Sequence, residues 1–269
     1  GHWADEIWHE VLSLLAGMVA PRFVRKILEW LLTQPDSTEL CHHVFLAARC
    51  VGEVRTREEL GVVERKVLEH TRALVRFDLR RSYEPWSDEA ETVFRIRTRA
   101  VEMVATVWHA DTDTCAWLKA RAQGDEDTAV RRSAVAALAR GWKDDPDTLP
   151  WLKARARGHE EWAVRQGAVE ALAHGWKDNP DTLPWLKARA QEDEDPTVRR
   201  SLLEALARDW KEDPEALPIL KSRVKDDNNP DVRQSAVEAL ARGWKDAPNT
   251  LPWLKVCAQD DEHWDVRQS

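Results

Sequence analysis

Residues 130–156 read "VRRSAVAALARGWKDDPDTLPWLKARA", and the chain returns to that stretch again and again. "VRQGAVEALAHGWKDNPDTLPWLKARA" follows from Val164, "VRRSLLEALARDWKEDPEALPILKSRV" from Val198 and "VRQSAVEALARGWKDAPNTLPWLKVCA" from Val232. A more divergent copy, "IRTRAVEMVATVWHADTDTCAWLKARA", starts at Ile96. The interval is 34 residues each time, which gives repeats 96–129, 130–163, 164–197, 198–231 and 232–265, with 266–269 opening another. A fixed period of this length marks a solenoid, in which each unit buries its apolar face by stacking on its neighbours.

One repeat holds two helices. From Asp127 to Arg140 the apolar residues Val130, Ala134, Val135, Ala137 and Leu138 share one broad helical face. Arg132, Ala136 and Arg140 fall opposite, and Glu170, Glu204 and Glu238 take the place of Ala136 in later copies. An Asp or Thr at the start suits a cap. Gly141, Gly175 and Gly243 are expected to end their helices in a left-handed conformation. Asp209 and Val107 stand where glycine would, so those ends are expected to differ. "KDDPD" is a turn, after which Asp147 or Thr148 caps a short second helix that tolerates Pro150 in its first turn. Leu149, Leu152 and Ala156 give this helix an inward face. The fold class is therefore all-α, an α-α superhelix of helical hairpins.

The pattern D-x-x-V-R-x-x-A-V-x-A-L-A, in register from Ile96 to Ser269, resembles the HEAT repeat. The resemblance implies stacked hairpins and a surface that binds other proteins. It also bears on the arginines set within the apolar face: Arg97, Arg131, Arg165, Arg199, Arg233 and Arg267. A ligand-binding basic ladder is one reading. We take them instead as a structural ladder, because an arginine held between helices needs acids and loop carbonyls. The expected acids are those of the "WKDDP" turns, such as Asp144, Asp178, Glu212 and Asp246.

A second periodic set is Trp117, Trp151, Trp185 and Trp253, with Ile219 in the missing place. These indoles either plug the seam between repeats or edge an inner groove floored by Ala120, Ala154, Ala188 and Ser222. Rimmed by Arg155, Arg189 and Arg223, they form the candidate protein-binding inner face, since aromatics and arginines anchor protein interfaces. Trp142, Trp176, Trp210 and Trp244 read as core.

Composition narrows the partner. The 269 residues are 33% charged with a formal net charge of −8. That balance argues against nucleic acid and anionic membrane surfaces, which need a positive field. The four cysteines form no CxxC pair, which fits a reducing compartment. No apolar run reaches membrane-span length, so a cytoplasmic location is expected. The opening "GH" resembles a cloning remnant and the final "DVRQS" the start of a further repeat, so a piece of a longer protein is expected.

Residues 1–86 read as an irregular helical cap ahead of the repeat region, 87–269. "WADEIWHEVLSLLAGMV" places Trp3, Ile7, Val11, Leu14, Leu15 and Met18 at helical spacing. "PRFVRKILEWLL" opens on Pro21, and "HHVFLAARCVGEV" and "REELGVVERKVLEHTRALV" supply two more helices. "DLRRSYEPW" is a linker, with Ser87 capping the next helix. The run "WHEVLSLLAGMV…ILEWLL" followed by "FLAARCVGEV" is similar to the segment after the winged helix of bacterial NACHT-type STAND nucleotide-hydrolysing proteins, relatives of NOD-like receptors. That resemblance implies a carboxy-terminal sensor of a switch ATPase in antiviral defence. Its partners would be a protein ligand, foreign or from phage, and an upstream NTPase domain of the same polypeptide.

No catalytic motif is legible. There is no GxxxxGK[ST], no HExxH after His9 or His159 and no Gly-x-Ser-x-Gly. Cys41, His42, His43 and Cys50 match no common zinc spacing. Glu160 and Glu161, and Asp193 to Asp195, lie on turns and read as solvated caps. We expect no cofactor, no metal and no enzymatic activity in this chain. The rival readings are a plain assembly scaffold without sensing and a bilin-lyase-like enzyme, since HEAT-like repeats occur in those lyases.

Overall fold

A computed structural model describes residues 6–34, 41–78, 87–158, 161–247 and 249–268. Among them are fifteen α-helices and two short 3-10 turns, with no strand. The chain divides into two units, 1–141 and 142–269.

In the first unit, α1 (Glu6–Met18), α2 (Pro21–Leu31), α3 (His42–Glu53) and α4 (Val62–Ala73) lie in the region expected to be the cap. They are followed by α5 (Asp88–Val107), α6 (Thr112–Gly124) and α7 (Thr128–Gly141). Pro21 occupies the first turn of α2, as expected, where its missing N–H costs nothing. Ser87 caps α5, its hydroxyl accepting from the Ala90 N–H at 3.2 Å. The core of this unit joins Val24, Leu28, Leu46, Ala47, Val51 and Val67 of the cap to Val104, Val107 and Trp108 at the end of α5. Cap and first repeat thus share one interior. The linker at the expected 86/87 division lies outside the described residues.

The second unit holds α8 (Thr148–Arg157), α9 (Trp162–Gly175), α10 (Thr182–Glu192), α11 (Pro196–Asp209), α12 (Ala216–Asp226), α13 (Pro230–Gly243), α14 (Thr250–Asp260) and α15 (Trp264–Gln268). Short and long helices alternate. Each of α8, α10 and α12 packs chiefly on the long helix that follows it, so the tight hairpin spans the acidic turn rather than the "WKDDP" turn. The long helices α9, α11, α13 and α15 also pack in series. Leu152, Leu186 and Leu220, one per short helix, are fully buried. Each such leucine contributes about 1.5–3 kcal/mol through the apolar surface it withdraws from water.

Two local expectations are corrected. Gly141 and Gly243 do not end their helices in the left-handed region; among described glycines only Gly61 has positive φ. The terminating residue is the tryptophan that follows. Trp176, Trp210 and Trp244 have φ between −121° and −127° with ψ of 28–35°, and each N–H still bonds a carbonyl four residues back. Any L-residue can occupy the position before such a turn, so Asp209 and Val107 end their helices as the glycines do. Gly141 has a separate reason: a Cβ there would meet the His109 ring at 3.2 Å. The second correction concerns the short helices. Asp147 makes no side-chain cap bond to α8. The turn is closed one step earlier, where Asp145, Asn179 and Asp213 accept the N–H two residues on at 2.8–3.0 Å.

Candidate functional site

The site is built from the acidic turns between short and long helices. In four of them an aspartate at the first position folds back on the backbone. Asp125, Asp193, Asp227 and Asp261 accept the N–H two residues later at 2.9–3.1 Å. At the third position Asp195 and Asn229 cap the long helix: Asp195 Oδ1 accepts from Thr197 and Val198, and Asn229 Oδ1 from Asp231 and Val232, whereas Glu161 makes no such bond. Capping residues of this kind satisfy amides that have no partner within the helix.

Asp125, Asp193 and Asp227 are buried and Asp261 is partly so, and buried carboxylates need cations. One comes from the short helix itself: Arg121 pairs with Asp125, Arg189 with Asp193 and Arg223 with Asp227, all four residues apart. The ladder arginines supply the second tie. Arg199, Arg233 and Arg267 donate Nη1 to the carbonyls of Asp193, Asp227 and Asp261 in the turn before their own helix. Arg131 does the same with Asp125. Reaching forward, Arg97 bonds Asp127 at 2.7 Å and Arg165 lies 3.3 Å from Asp195. Arg199 and Arg233 make two-pronged contacts with Asp227 and Asp261. The Arg233 hydrogen bond holds the Asp261 carboxyl below its ordinary value, and the same bond raises the guanidinium.

The ladder therefore staples one turn to the next. Its acids belong to the short-to-long turns, not to the "WKDDP" turns expected from sequence. The helix pairing explains the difference: the tight hairpin brings the acidic turn, not the tryptophan turn, beside the arginine.

The candidate inner-face residues lie on the short helices, and Trp117 packs against the core of the first unit. Trp185 is buried, as is Ile219 in the equivalent place. Trp117, Trp151 and Trp253 are partly buried. Cations cover the rings: Arg72 lies 5.3 Å over Trp117, Arg155 5.8 Å over Trp151 and Arg157 5.7 Å over Trp185. Lys221 lies 5.2 Å over Trp253. Contacts of this type contribute about 0.5–2 kcal/mol each. Lys187, one position beyond Leu186, bridges Asp213 and Glu215 at 2.6 and 2.7 Å. Burial opposes its charge, but these two bonds outweigh it and raise the ammonium above its usual range. Ala120, Ala154 and Ala188 face solvent, while Ser222 is partly covered. Of the other tryptophan set, Trp176, Trp210 and Trp244 are buried and Trp142 is partly exposed.

A second surface escaped the sequence reading. The long helices of the second unit expose Glu170, Glu204 and Glu238 in one row and His174, Arg208 and Arg242 in another, one turn on. Between α11 and α13 a recess of about 470 Å³ has Ala207, Ala239 and Gly243 among its lining and Arg208, Lys211 and Arg242 around it. The available signal was the 34-residue recurrence of the polar positions, which reads equally well as a solvated face.

Among the described residues no three of His, Cys, Asp and Glu are placed to hold a metal ion. His42 instead faces the His9 ring at 5.4 Å, and the Cys50 thiol points at the Leu12 carbonyl. A cleft of about 320 Å³ in the first unit is lined by Arg57, Glu64, Trp108 and Asp111. Burial pushes the Glu64 carboxyl up, against the pull of Arg57, but no serine, cysteine or histidine lines that cleft. Among the described residues no helix is long and apolar enough to cross a membrane. His159, Glu160 and Trp3 lie outside the described residues.

The hairpins, the arginine–aspartate staples and the recurring caps define an α-solenoid. The family model for HEAT repeats matches residues 93–173, 115–207, 150–241 and 183–269 in overlapping windows. The chain belongs to the HEAT-repeat family, and its architecture is that of a protein-interaction scaffold. No curated protein matches the sequence.

Proposed function

We propose that this chain is the ligand-sensing module of a larger NACHT-type switch ATPase, that it works in the bacterial cytoplasm in antiviral defence, and that its ligand is a protein. The observation that carries the protein-binding part is the contrast between the two faces of the second unit. The arginines Arg189 and Arg223 and the ring of Trp185 are committed to holding the array together. The rows Glu170–Glu204–Glu238 and His174–Arg208–Arg242, with the recess between α11 and α13, remain open to a partner. We assign the ligand to this long-helix face. The alternative is the short-helix face, where Trp151 and Arg155 keep partial exposure. The switch-ATPase part is supported by the resemblance of the cap sequence.

A photo-crosslinking residue at Glu204 or at Ala154, in cells challenged with phage, separates the faces. Challenge-dependent adducts from position 204 support the assignment; adducts from 154 alone move the site to the short helices. For sensing, ligand binding must favour one state of the whole protein over another. Deleting residues 96–269 from the natural polypeptide should abolish the response of ATP hydrolysis to challenge. An unchanged response leaves the scaffold reading in its place.

A further inference from the structure

The exposed charges of the long helices are ordered in two directions. Along each helix, Glu204 precedes Arg208 and Glu238 precedes Arg242 by one turn, which sets the acidic row about 6 Å from the basic row. Across the helices, both rows recur at the step from α9 to α11 to α13, and packed helices lie about 8–10 Å apart. Between the rows the surface is low, with Ala207, Ala239 and Gly243 in the lining of the recess between α11 and α13. A second recess, of about 250 Å³, is lined by Glu170 and His174 of α9 and by Ser201, Glu204 and Arg208 of α11. The rows do not cancel each other. Glu238 and Arg242 are 4.0 Å apart with both side chains well exposed, and a pair that open contributes little. Arg208 holds Asp209 through Nε and Nη2, which leaves its Nη1 for another acceptor.

We propose that the protein ligand lays a single α-helix along these rows, across α9, α11 and α13, with basic side chains on one flank and acidic side chains on the other. The period selects a helix. Seven residues of α-helix advance about 10.5 Å and return to the same face, close to the step from one long helix to the next. An extended strand returns to the same face every ~6.7 Å, and neither one nor two such steps match. A polyproline helix has a period of about 9 Å, but it docks on aromatic-lined grooves. Neither recess has a Phe, Tyr or Trp in its lining. The width agrees as well: a helix about 10 Å across straddles rows about 6 Å apart. Its seam then lies over Ala207 and Gly243, its basic flank on Glu204 and Glu238, and its acidic flank on Arg208 and Arg242. A helix charged with one sign fits less well, because one row would repel it wherever the other attracted it. The inference rests on the assignment of the ligand to the long-helix face.

The test uses a synthetic three-heptad peptide held helical by lactam bridges on its outer face, with alanine in the seam, lysine on one flank and glutamate on the other. Its control has the same composition with the flank charges shuffled. By fluorescence anisotropy against the 269-residue chain, the split peptide should bind at least tenfold tighter than the control. Glu204→Lys/Glu238→Lys should lose that tenfold and should prefer a peptide with glutamate on both flanks. Adding Arg208→Glu/Arg242→Glu restores rows of opposite sign, so the split peptide should bind again, running in the reverse direction. All four positions are exposed, so the variants should keep their helical circular dichroism. Equal affinity for split and shuffled peptides overturns the proposal, and so does a split peptide indifferent to reversal of the acidic row. Crosslinks confined to position 154 would overturn the face assignment, and this inference with it, whatever the peptides do.

Discussion

Arg199 grips Asp227, 28 residues further on, with Nε and Nη2 bonded to its two carboxylate oxygens at 2.9 and 2.7 Å, while its Nη1 donates to the Asp193 carbonyl at 2.8 Å. One side chain thus joins two successive turns, and both charged groups are buried. Removing one member of a buried pair strands the other, at a cost of about 3–5 kcal/mol. Arg199→Ala should lower the urea midpoint by a corresponding amount. Arg208→Ala is the control: its pair with Asp209 is solvent-exposed on the arginine side and should cost under about 1 kcal/mol. Equal losses in the two variants would show that the ladder contributes no more than a surface pair.

The turn composition decides which carboxylate the ladder uses. Arg97 and Arg165 meet the third-position acids Asp127 and Asp195. Where that position is Asn229 or His263, Arg199 and Arg233 take the first-position Asp227 and Asp261 instead. Asn229→Asp should therefore draw Arg199 partly away from Asp227. A double-mutant cycle checks this: the Arg199–Asp227 coupling energy should fall in the Asn229→Asp background, and a coupling between Arg199 and the introduced carboxylate should appear.

Acid should loosen the staples. The Arg233 bond depresses Asp261; at Asp213 burial works the other way, but the Lys187 bond prevails and its carboxyl is also lowered. A carboxyl whose folded value lies below its unfolded value of about 3.9 stabilises the protein above that pH and loses the contribution as pH falls through the folded value. Thermal midpoints should drop from pH 5 to pH 2.5. Asp261→Asn and Asp213→Asn should each lower the pH 5 midpoint and flatten the profile. A profile as steep in both variants would assign the acid sensitivity to other groups.

Thiol reactivity reports on the unfolding of the first unit. Burial pushes Cys50 up to about 12, and Cys41 is buried too, whereas Cys115 and Cys257 are partly exposed. At pH 8 Ellman's reagent should modify Cys115 and Cys257 in the native protein. Cys41 and Cys50 should react only on unfolding, which peptide mapping of the quenched adducts would reveal.

Trp185 fills a seam, so Trp185→Ala should cost about 3–5 kcal/mol. Trp264→Ala, at a position 56% exposed, should be near neutral. The fluorescence lost in Trp264→Ala should be more open to acrylamide quenching than that lost in Trp185→Ala.

The sequence by itself determined the helices, their alternation and the existence of the arginine ladder. These are local or strictly periodic properties: Val198, Leu202 and Leu206 recur at helical spacing, and 34-residue recurrence exposes any side chain that stacking requires. What the ladder grips, and which face stays open, came only from tertiary structure. Arg199 has acids at many sequence distances, and only the pairing of α10 with α11 and of α12 with α13 brings Asp227 to it. That α1 turns Leu14, Leu15 and Met18 outward was also hidden, because helical spacing marks them as one apolar face without saying whether that face meets a neighbour or water. A solenoid repeats its contacts from unit to unit, but the non-repeating cap has no second copy within the chain against which its faces could be read.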